Sequence, residues 1–216
     1  MYKRIADLNI ALQERQVKAL DLITSLQYLE IPFQIHPLGF ISCTFLREGT
    51  CNARLHIWPL APQKAQSTDT QIHDHIFSFT SWVLLGGIVN TKLTPNENGN
   101  KYAIYSTSYS EDKSILQKSD RSIRLTPNTP TLHLTGDKYT VNSGEFHKSE
   151  RAGSSPAVTV LITDQTKKTS PFVAGPIDGP SSYEYQRSSL SNLELEKLIF
   201  NLKREQHRDT GVEFIS

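Results

Sequence analysis

Between residues 39 and 165 the chain alternates short β-branched and aromatic segments with clusters of turn-forming residues. The first such segment begins at Gly39, and Arg54–Trp58 forms another. Further segments follow in close order, at 71–78, 81–92, 101–109, 121–126, 130–134, 138–142 and 157–163. Pro-, Gly- and Asn-containing turns separate many of them. Many short strands with regular turns are typical of a β-sandwich or β-barrel.

Helical patterns flank this β-rich region. Apolar residues recur at a helical period over residues 2–30, and again over 190–206, where Ser191 or Asn192 can serve as the N-cap. The stretch between 166 and 189 is rich in Pro, Gly and Ser, and we interpret it as a tail over the barrel, with a disordered linker as the alternative. The sequence therefore predicts one domain in three parts: a helical extension over 1–38, a barrel over 39–165, and a tail with a helix over 166–216.

Size and charge narrow the class of protein. The 216 residues carry 23 basic and 22 acidic side chains and a net charge of +1, which gives no electrostatic reason to expect nucleic acid or an anionic membrane as partner. There is neither a membrane-spanning apolar run nor a signal-peptide pattern, so we expect a cytoplasmic protein. In that compartment Cys43 and Cys51 are expected as free thiols rather than as a disulfide.

A histidine pair gives the first indication of chemistry. His73 and His75 are two residues apart in a predicted strand, so their side chains project from the same face. Two neutral imidazoles on one face can together bind iron, zinc, copper or nickel. Two histidines with a purely structural role would give the same pattern, so the pair alone is weak evidence for a metal.

A second segment, from Gly136 to His147, strengthens this interpretation. With the first it resembles the two sequence motifs of the cupin superfamily. His73 and His75 take the places of that family's histidine pair, and Gly86 that of the glycine that closes the first motif. Gly136, Gly144 and His147 have the spacing of the second motif, with Asn142 in place of its proline, and Ser67 stands where the first motif begins with glycine. The resemblance implies a mainly β, cupin-type double-stranded β-helix, or jelly-roll barrel, with helices at both ends. It also implies a metal held by His73, His75 and His147.

One ligand of the usual cupin set is missing. Its glutamate would fall at Phe79 or Thr80, and neither side chain can replace a carboxylate. Three neutral imidazoles leave the charge of a divalent ion uncompensated and leave coordination positions open. Such an ion can take an anionic substrate and dioxygen side by side.

Within the cupins, the chain resembles the cysteine dioxygenase-like thiol dioxygenases over roughly residues 40–175. The stretches 72–75, 139–147 and 156–159 carry this resemblance. It implies an Fe(II) centre that uses O2 and a small amino-acid-like or carboxylate substrate, and an arginine on an early strand that pairs with the substrate carboxylate. Arg47 is the best positional match. Arg54 competes with it if the face that Arg54 shares with His56 and Trp58 is internal.

The sequence also departs from that family. Where the family has a Ser-x-His-x-Tyr pattern facing the metal, this chain has Thr159, Leu161 and Thr163, and no cysteine stands near Thr80 for a cross-link to tyrosine. These changes predict a substrate other than cysteine. His133 is a further candidate, as a base that faces into the barrel beside the metal ligands.

Three functions remain open at this point. The first is a non-haem Fe(II) dioxygenase or oxygenase, for which Arg47 and His133 are the candidate catalytic residues. The second is oxygen-independent catalysis, as an isomerase, decarboxylase or hydrolase with zinc, nickel or manganese. The third is a barrel that only binds a small ligand. A homodimer is compatible with all three, since barrel edges can pair.

Overall fold

The computed structural model describes residues 1–60, 70–110, 113–166 and 170–209. These residues form three helices, α1 (Ile5–Gln13), α2 (Ala19–Tyr28) and α3 (Asn192–Asp209). They also form fourteen strands: β1 (Gln34–Ile35), β2 (Ile41–Glu48), β3 (Cys51–Trp58), β4 (Ile72–His73), β5 (Phe77–Leu85), β6 (Gly87–Ser110), β7 (Lys113–Pro127), β8 (Thr131–Leu134), β9 (Lys138–Val141), β10 (Phe146–Arg151), β11 (Ala157–Thr166), β12 (Phe172–Gly175), β13 (Ser182–Gln186) and β14 (Ser188–Ser189).

The strands build two antiparallel sheets. Sheet A has the order β14-β1-β2-β3-β11-β5-β9. Sheet B has the order β10-β4-β12-β6-β7-β13, with β8 and β10 also paired to β6. Most neighbours in each sheet are distant in sequence, as in a jelly-roll, whereas β1 with β2, β2 with β3 and β6 with β7 are consecutive along the chain. The predicted mainly β fold, with helices at the N-terminal and C-terminal ends, is confirmed.

Strand β3 shows how one strand serves two sides of sheet A. Ala53, Leu55 and Ile57 are fully buried and belong to one apolar cluster with residues of α1, α2 and α3. Burying a side chain such as Leu55 contributes roughly 1.5–3 kcal/mol. The alternate residues of β3 point to the opposite face, because successive side chains in a strand alternate. The helices therefore cover the outer face of sheet A and leave its inner face for a cavity.

The N-terminal helical region is divided in two. It forms α1 and α2, separated by a turn in which Arg15 adopts a positive φ of 56°. Both helices place their apolar residues against sheet A, including Leu12 and Leu26. At the other end of the chain, Glu194 N donates to Ser191 Oγ at 3.3 Å and Ser191 N donates to Glu194 Oε2 at 2.8 Å. This reciprocal capping box makes Ser191 the N-cap of α3.

Two segments differ from the sequence prediction. A turn was expected at 95–100, but β6 runs through it, and its pairing with β7 shifts register between Pro95 and Asn100. The tail is also more regular than expected, since β12 lies between β4 and β6, and β13 and β14 extend the two sheets.

Cys43 and Cys51 are free thiols. None of the helices in the described residues combines the length and apolarity needed to cross a bilayer.

Candidate metal centre

His73 and His147 meet because their strands pair. His147 of β10 lies directly opposite His73 of β4 in antiparallel register. Side chains at opposed positions have their Cβ atoms about 4.5–5.5 Å apart on the same face. The two imidazole centroids are 4.8 Å apart.

The third histidine is held by a turn. His75 follows β4, and its carbonyl oxygen accepts hydrogen bonds from Gly144 N at 3.0 Å and from Ser143 Oγ at 3.3 Å. Gly144 has a φ of 78°, in the left-handed region that favours glycine. The glycine turn of the second motif thus fixes the backbone of the first motif, which explains why the two spacings occur together.

The three histidines form one group that can hold a metal ion. One ligand atom from each of His73, His75 and His147 lies within 4.8 Å of the others. The Nε2 atoms of His75 and His147 are 3.0 Å apart. Two nitrogens that bind one ion at a right angle, each about 2.1 Å from it, would be separated by about 3.0 Å. The separation therefore fits two neighbouring positions around a single ion.

Hydrogen bonds behind the rings select the tautomer that a metal needs. His73 Nδ1 lies 2.7 Å from Gln71 O and so carries the proton that it donates to this carbonyl. His147 Nδ1 lies 2.8 Å from Asn90 Oδ1, to which it donates in the same way. Each bond leaves the Nε2 lone pair free to bind a cation. Such outer partners commonly orient metal-binding histidines.

Burial keeps the ligands neutral. Burial lowers the pKa of His73, and it lowers the pKa values of His75 and His147 well below 6.5. The neighbouring imidazoles lower the pKa values of His75 and His147 further. Neutral imidazole is the form that binds metal, so the protein does not have to lose protons at neutral pH to form the site.

Two phenylalanines form an apolar wall beside the histidines. The His75 ring lies 5.3 Å from that of Phe77 and 5.0 Å from that of Phe79, which is also 5.7 Å from the His147 ring. Thr80 bonds instead to Thr140 on an exposed part of the surface. Phe79 therefore faces the histidines at the position where the cupin motif has a glutamate, as the alternation along the strand predicts.

A cavity of about 540 Å³ opens next to the three histidines. A volume of this size accommodates a small-molecule ligand. Arg54, His56 and Trp58 of β3 all line it, so the face that these residues share is internal. Two buried donors in this wall, Arg54 Nε and Trp58 Nε1, have no hydrogen-bond partner among the residues that the structure describes.

No protein-family model matches this sequence, and no curated protein matches it. Among solved structures, the chain is similar to a cupin superfamily protein from Desulfitobacterium hafniense, with 12% identity and a TM-score of 0.31 over 58% of this chain and 77% of that one. It is also similar to Drosophila melanogaster CENP-C bound to CAL1, with 9% identity and a TM-score of 0.35 over 63% of this chain and 82% of that one. A second CENP-C structure, of one domain, gives 9% identity and a TM-score of 0.35 over 62% and 72% of the two chains. Similarities this low carry no function across, so the metal centre stands on its own geometry.

The two candidate arginines differ in their surroundings. Arg54 is largely buried, its guanidinium carbon lies 5.2 Å from the centroid of the Phe77 ring, and burial lowers its pKa. Arg47 also lines the cavity but is exposed, and its Nη1 donates to Asn52 Oδ1 at 3.2 Å. Of the two, Arg54 is the one next to the apolar wall of the metal centre.

His133 lies apart from the three ligands. It is on β8, and its ring stacks on that of Tyr139 at 4.6 Å. Tyr139 lines the cavity, whereas His133 is not among the described residues that do so. Its role as a base remains a prediction.

The residues that replace the Ser-x-His-x-Tyr pattern have separate roles. Leu161 lines the cavity. The Thr163 hydroxyl accepts a hydrogen bond from Asn52 N at 2.8 Å, and Thr159 is buried opposite His56. Ser67, at the start of the first motif, lies outside the described residues.

Several site residues were not predicted from the sequence. Asn90, His36 and Arg187 come from β6, a loop and the tail, and none belongs to a motif. His36 Nδ1 accepts from Leu38 N at 3.2 Å, and its ring stacks on Phe40 at 4.2 Å. A single sequence gives no signal for contacts between residues so far apart along the chain.

Proposed function

We propose that this protein is a non-haem Fe(II) oxygenase that binds a small carboxylate-bearing or amino-acid-like substrate and adds dioxygen to it. One observation carries the proposal. Three neutral imidazoles, one buried and two partly buried, converge beside a cavity of about 540 Å³ whose wall contains the largely buried Arg54. A metal with a purely structural role is normally closed by four ligands, whereas three histidines leave positions open to substrate.

The donor set suits a divalent first-row metal. Nitrogen ligands select iron, zinc, copper or nickel over magnesium or calcium, which prefer oxygen. Iron in this site would supply the one-electron chemistry that the reaction of O2 with a substrate requires. His73, His75 and His147 would hold it, with Gln71 O and Asn90 keeping two of these rings in the binding tautomer.

Arg54 is proposed to orient the substrate. A guanidinium binds a carboxylate through two parallel hydrogen bonds, and the interaction is strong where water is excluded. Within the described part of the chain, Arg54 Nε in the cavity wall has no hydrogen-bond partner, and its guanidinium stacks on Phe77, which in turn stacks on His75. A carboxylate held there lies on the same side of the cavity as the metal ligands. Arg47, the arginine favoured by family resemblance, is the matched alternative.

The proposed reaction needs no added reductant. Both atoms of O2 enter the substrate, and the substrate supplies the four electrons that reduce them. The apolar side chains of Phe77, Phe79 and Leu161 limit water near the reacting groups. A site with little water strengthens the pairing between Arg54 and an acid.

The test is oxygen uptake by protein loaded with Fe(II) under anaerobic conditions and then mixed with a panel of small carboxylic and amino acids. We expect consumption of one O2 per substrate and two ¹⁸O atoms in the product from ¹⁸O2. Arg54→Gln should raise KM by about tenfold or more, whereas Arg47→Gln should change it less than threefold. Iron-loaded protein that consumes no oxygen with any member of the panel would contradict the proposal. Turnover without oxygen in the zinc, nickel or manganese form would replace it with oxygen-independent catalysis.

A further inference from the structure

Arg187 brings a further guanidinium to the cavity from the connection between sheet B and sheet A. It lies between β13 and β14 and lines the cavity with Arg54. Its Nε donates to the hydroxyl of the buried Ser114 at 2.9 Å, and its guanidinium carbon is 5.2 Å from the centroid of the Tyr109 ring. These contacts fix the group and leave its two Nη atoms as the edge that can bind an acid.

Arg54 and Arg187 both contribute positive charge to the same cavity. Burial lowers the pKa of Arg54, and the positive charges of Arg47 and Arg187 lower it further, against an opposing effect of Tyr109. The pKa of His36 is lowered by burial and then by the charge of Arg187. The positive potential of Arg187 therefore reaches both Arg54 and His36.

Among the described residues that line the cavity, acidic side chains are fewer than arginines, so the cavity carries an excess of positive charge. Among the described lining residues, Arg47, Arg54 and Arg187 are basic and Asp74 is the one acid. Asp74 Oδ1 accepts a hydrogen bond from Phe172 N at 2.7 Å, so it serves the pairing of β4 with β12. The salt bridges found between described residues all use lysine rather than arginine. A cavity with excess positive charge and neutral histidines is matched to an anion of more than one charge.

We infer that Arg187 forms a second anion subsite and that the substrate is a small dianion, held at one negative group by Arg54 and at the other by Arg187. This inference rests on the proposed function, because it names the substrate class of the same cavity. Two chemistries provide such a ligand: a dicarboxylate, or a phosphate group with two negative charges. Both offer the oxygen pairs that a guanidinium fork binds.

Isothermal titration of the metal-loaded protein with succinate, butyrate and inorganic phosphate tests the subsite. Succinate and butyrate have the same carbon number and differ in one carboxylate. We expect succinate or phosphate to bind at least tenfold more tightly than butyrate. A preference for succinate alone identifies the dicarboxylate, and a preference for phosphate alone identifies the phosphoryl ligand. Equal binding of all three anions would overturn the inference.

Variants assign the preference to Arg187. Arg187→Gln should remove the tenfold preference and change butyrate binding less than twofold. Arg187→Lys should recover part of it, since a point charge remains but the fork is lost. Arg47→Gln is the matched control and should keep the preference. If Arg187→Gln does not fold, Ser114→Ala tests the same contact and should weaken dianion binding about threefold. An unchanged preference in both Arg187→Lys and Ser114→Ala would overturn the inference.

The titration also separates this inference from the proposed function. A dianion preference that depends on Arg187, in protein that consumes no oxygen, would keep the subsite and reject the oxygenase. Oxygen uptake with monoanions and no dianion preference would keep the oxygenase and reject the subsite.

Discussion

Asn90 Oδ1 lies 2.8 Å from Nδ1 of His147, and the same oxygen accepts a hydrogen bond from Ser149 Oγ at 3.1 Å. Asn90 is buried on β6, the strand that pairs with β10. A side chain outside the ligand set therefore holds the ring that the metal would bind.

Replacing Asn90 should weaken metal binding without removing a ligand. In Asn90→Ala, His147 Nδ1 loses its acceptor at 2.8 Å and keeps only the more distant Ser149 hydroxyl at 3.5 Å, so the ring is held less firmly and metal affinity should fall about 10- to 100-fold. Competition against a chromogenic zinc chelator measures this change. Ser149→Ala is the control, since it keeps the bond between Asn90 and His147, and its affinity should stay within threefold of wild type. Equal affinities for wild type and Asn90→Ala would contradict the positioning role.

We expect Arg54 to lower the free energy of unfolding relative to an apolar side chain of similar size. Its guanidinium is largely buried, its Nε has no partner in the described ranges of the chain, and Arg47 and Arg187 repel it. Arg54→Met keeps much of the side-chain volume and removes the desolvated charge, so the free energy of unfolding should rise by about 1 kcal/mol. Urea denaturation measures it, with the more exposed Arg47→Met expected within about 0.5 kcal/mol of wild type. A clear loss of stability in Arg54→Met would show that the arginine serves packing rather than binding.

Alanine substitutions at two glycines distinguish the cost of backbone strain from the cost of a steric clash. Gly86 and Gly153 both have positive φ, at 71° and 63°. A Cβ at Gly86 would clash with the carbonyl oxygen of Pro156, whereas one at Gly153 would meet nothing within 4 Å among the described residues. Gly153→Ala should cost about 1 kcal/mol from φ alone, and Gly86→Ala about 3 kcal/mol or more because the backbone must also move. Thermal unfolding of both variants gives the comparison, and similar losses would contradict the clash at Gly86.

The partly buried His56 predicts a pH dependence of stability. Burial, with the charge of Arg54, lowers its pKa to about 3, against about 6.5 in the unfolded chain. Above pH 6.5 both states are neutral and its full contribution is present. As pH falls from 6.5 towards 3, the unfolded state alone takes up the proton. Stability is then lost at up to about 1.4 kcal/mol per pH unit from this residue.

Urea denaturation between pH 7.5 and 4.5, in chelator to exclude metal, tests this effect. His56→Gln should flatten the pH dependence by about one proton relative to wild type. If the two slopes are the same, His56 is protonated as readily in the folded protein as in the unfolded chain.

The three histidines and the jelly-roll were accessible from the sequence because each has a local signal. His73 and His75 share a strand face by alternation alone, and Gly144 and His147 are three residues apart. His147 comes close to His73 only because β10 lies beside β4, and the two motifs together imply this neighbourhood. Likewise the sequence shows that Arg54, His56 and Trp58 share one face of β3, and the structure shows that this face lines the cavity.

The rest of the cavity depends on long-range pairing that one sequence does not show. Arg187 lies in a tail that was expected to cover the barrel, and its strands instead join both sheets. Asn90 is an ordinary polar residue in a strand until β6 pairs with β10. The choice between Arg47 and Arg54 depended on burial, which follows from the helices that cover one face of sheet A.

Metal content tests the central claim most directly. Elemental mass spectrometry of protein incubated anaerobically with Fe(II) and then desalted should find close to one metal ion per chain, and less than a tenth of that in His147→Ala. His133→Ala, which removes a histidine outside the ligand set, should retain the wild-type content. Iron would support the oxygenase, and stoichiometric zinc or nickel would keep the three-histidine site with other chemistry. An absence of bound metal in the folded wild-type protein, or equal metal in wild type and His147→Ala, would contradict the account.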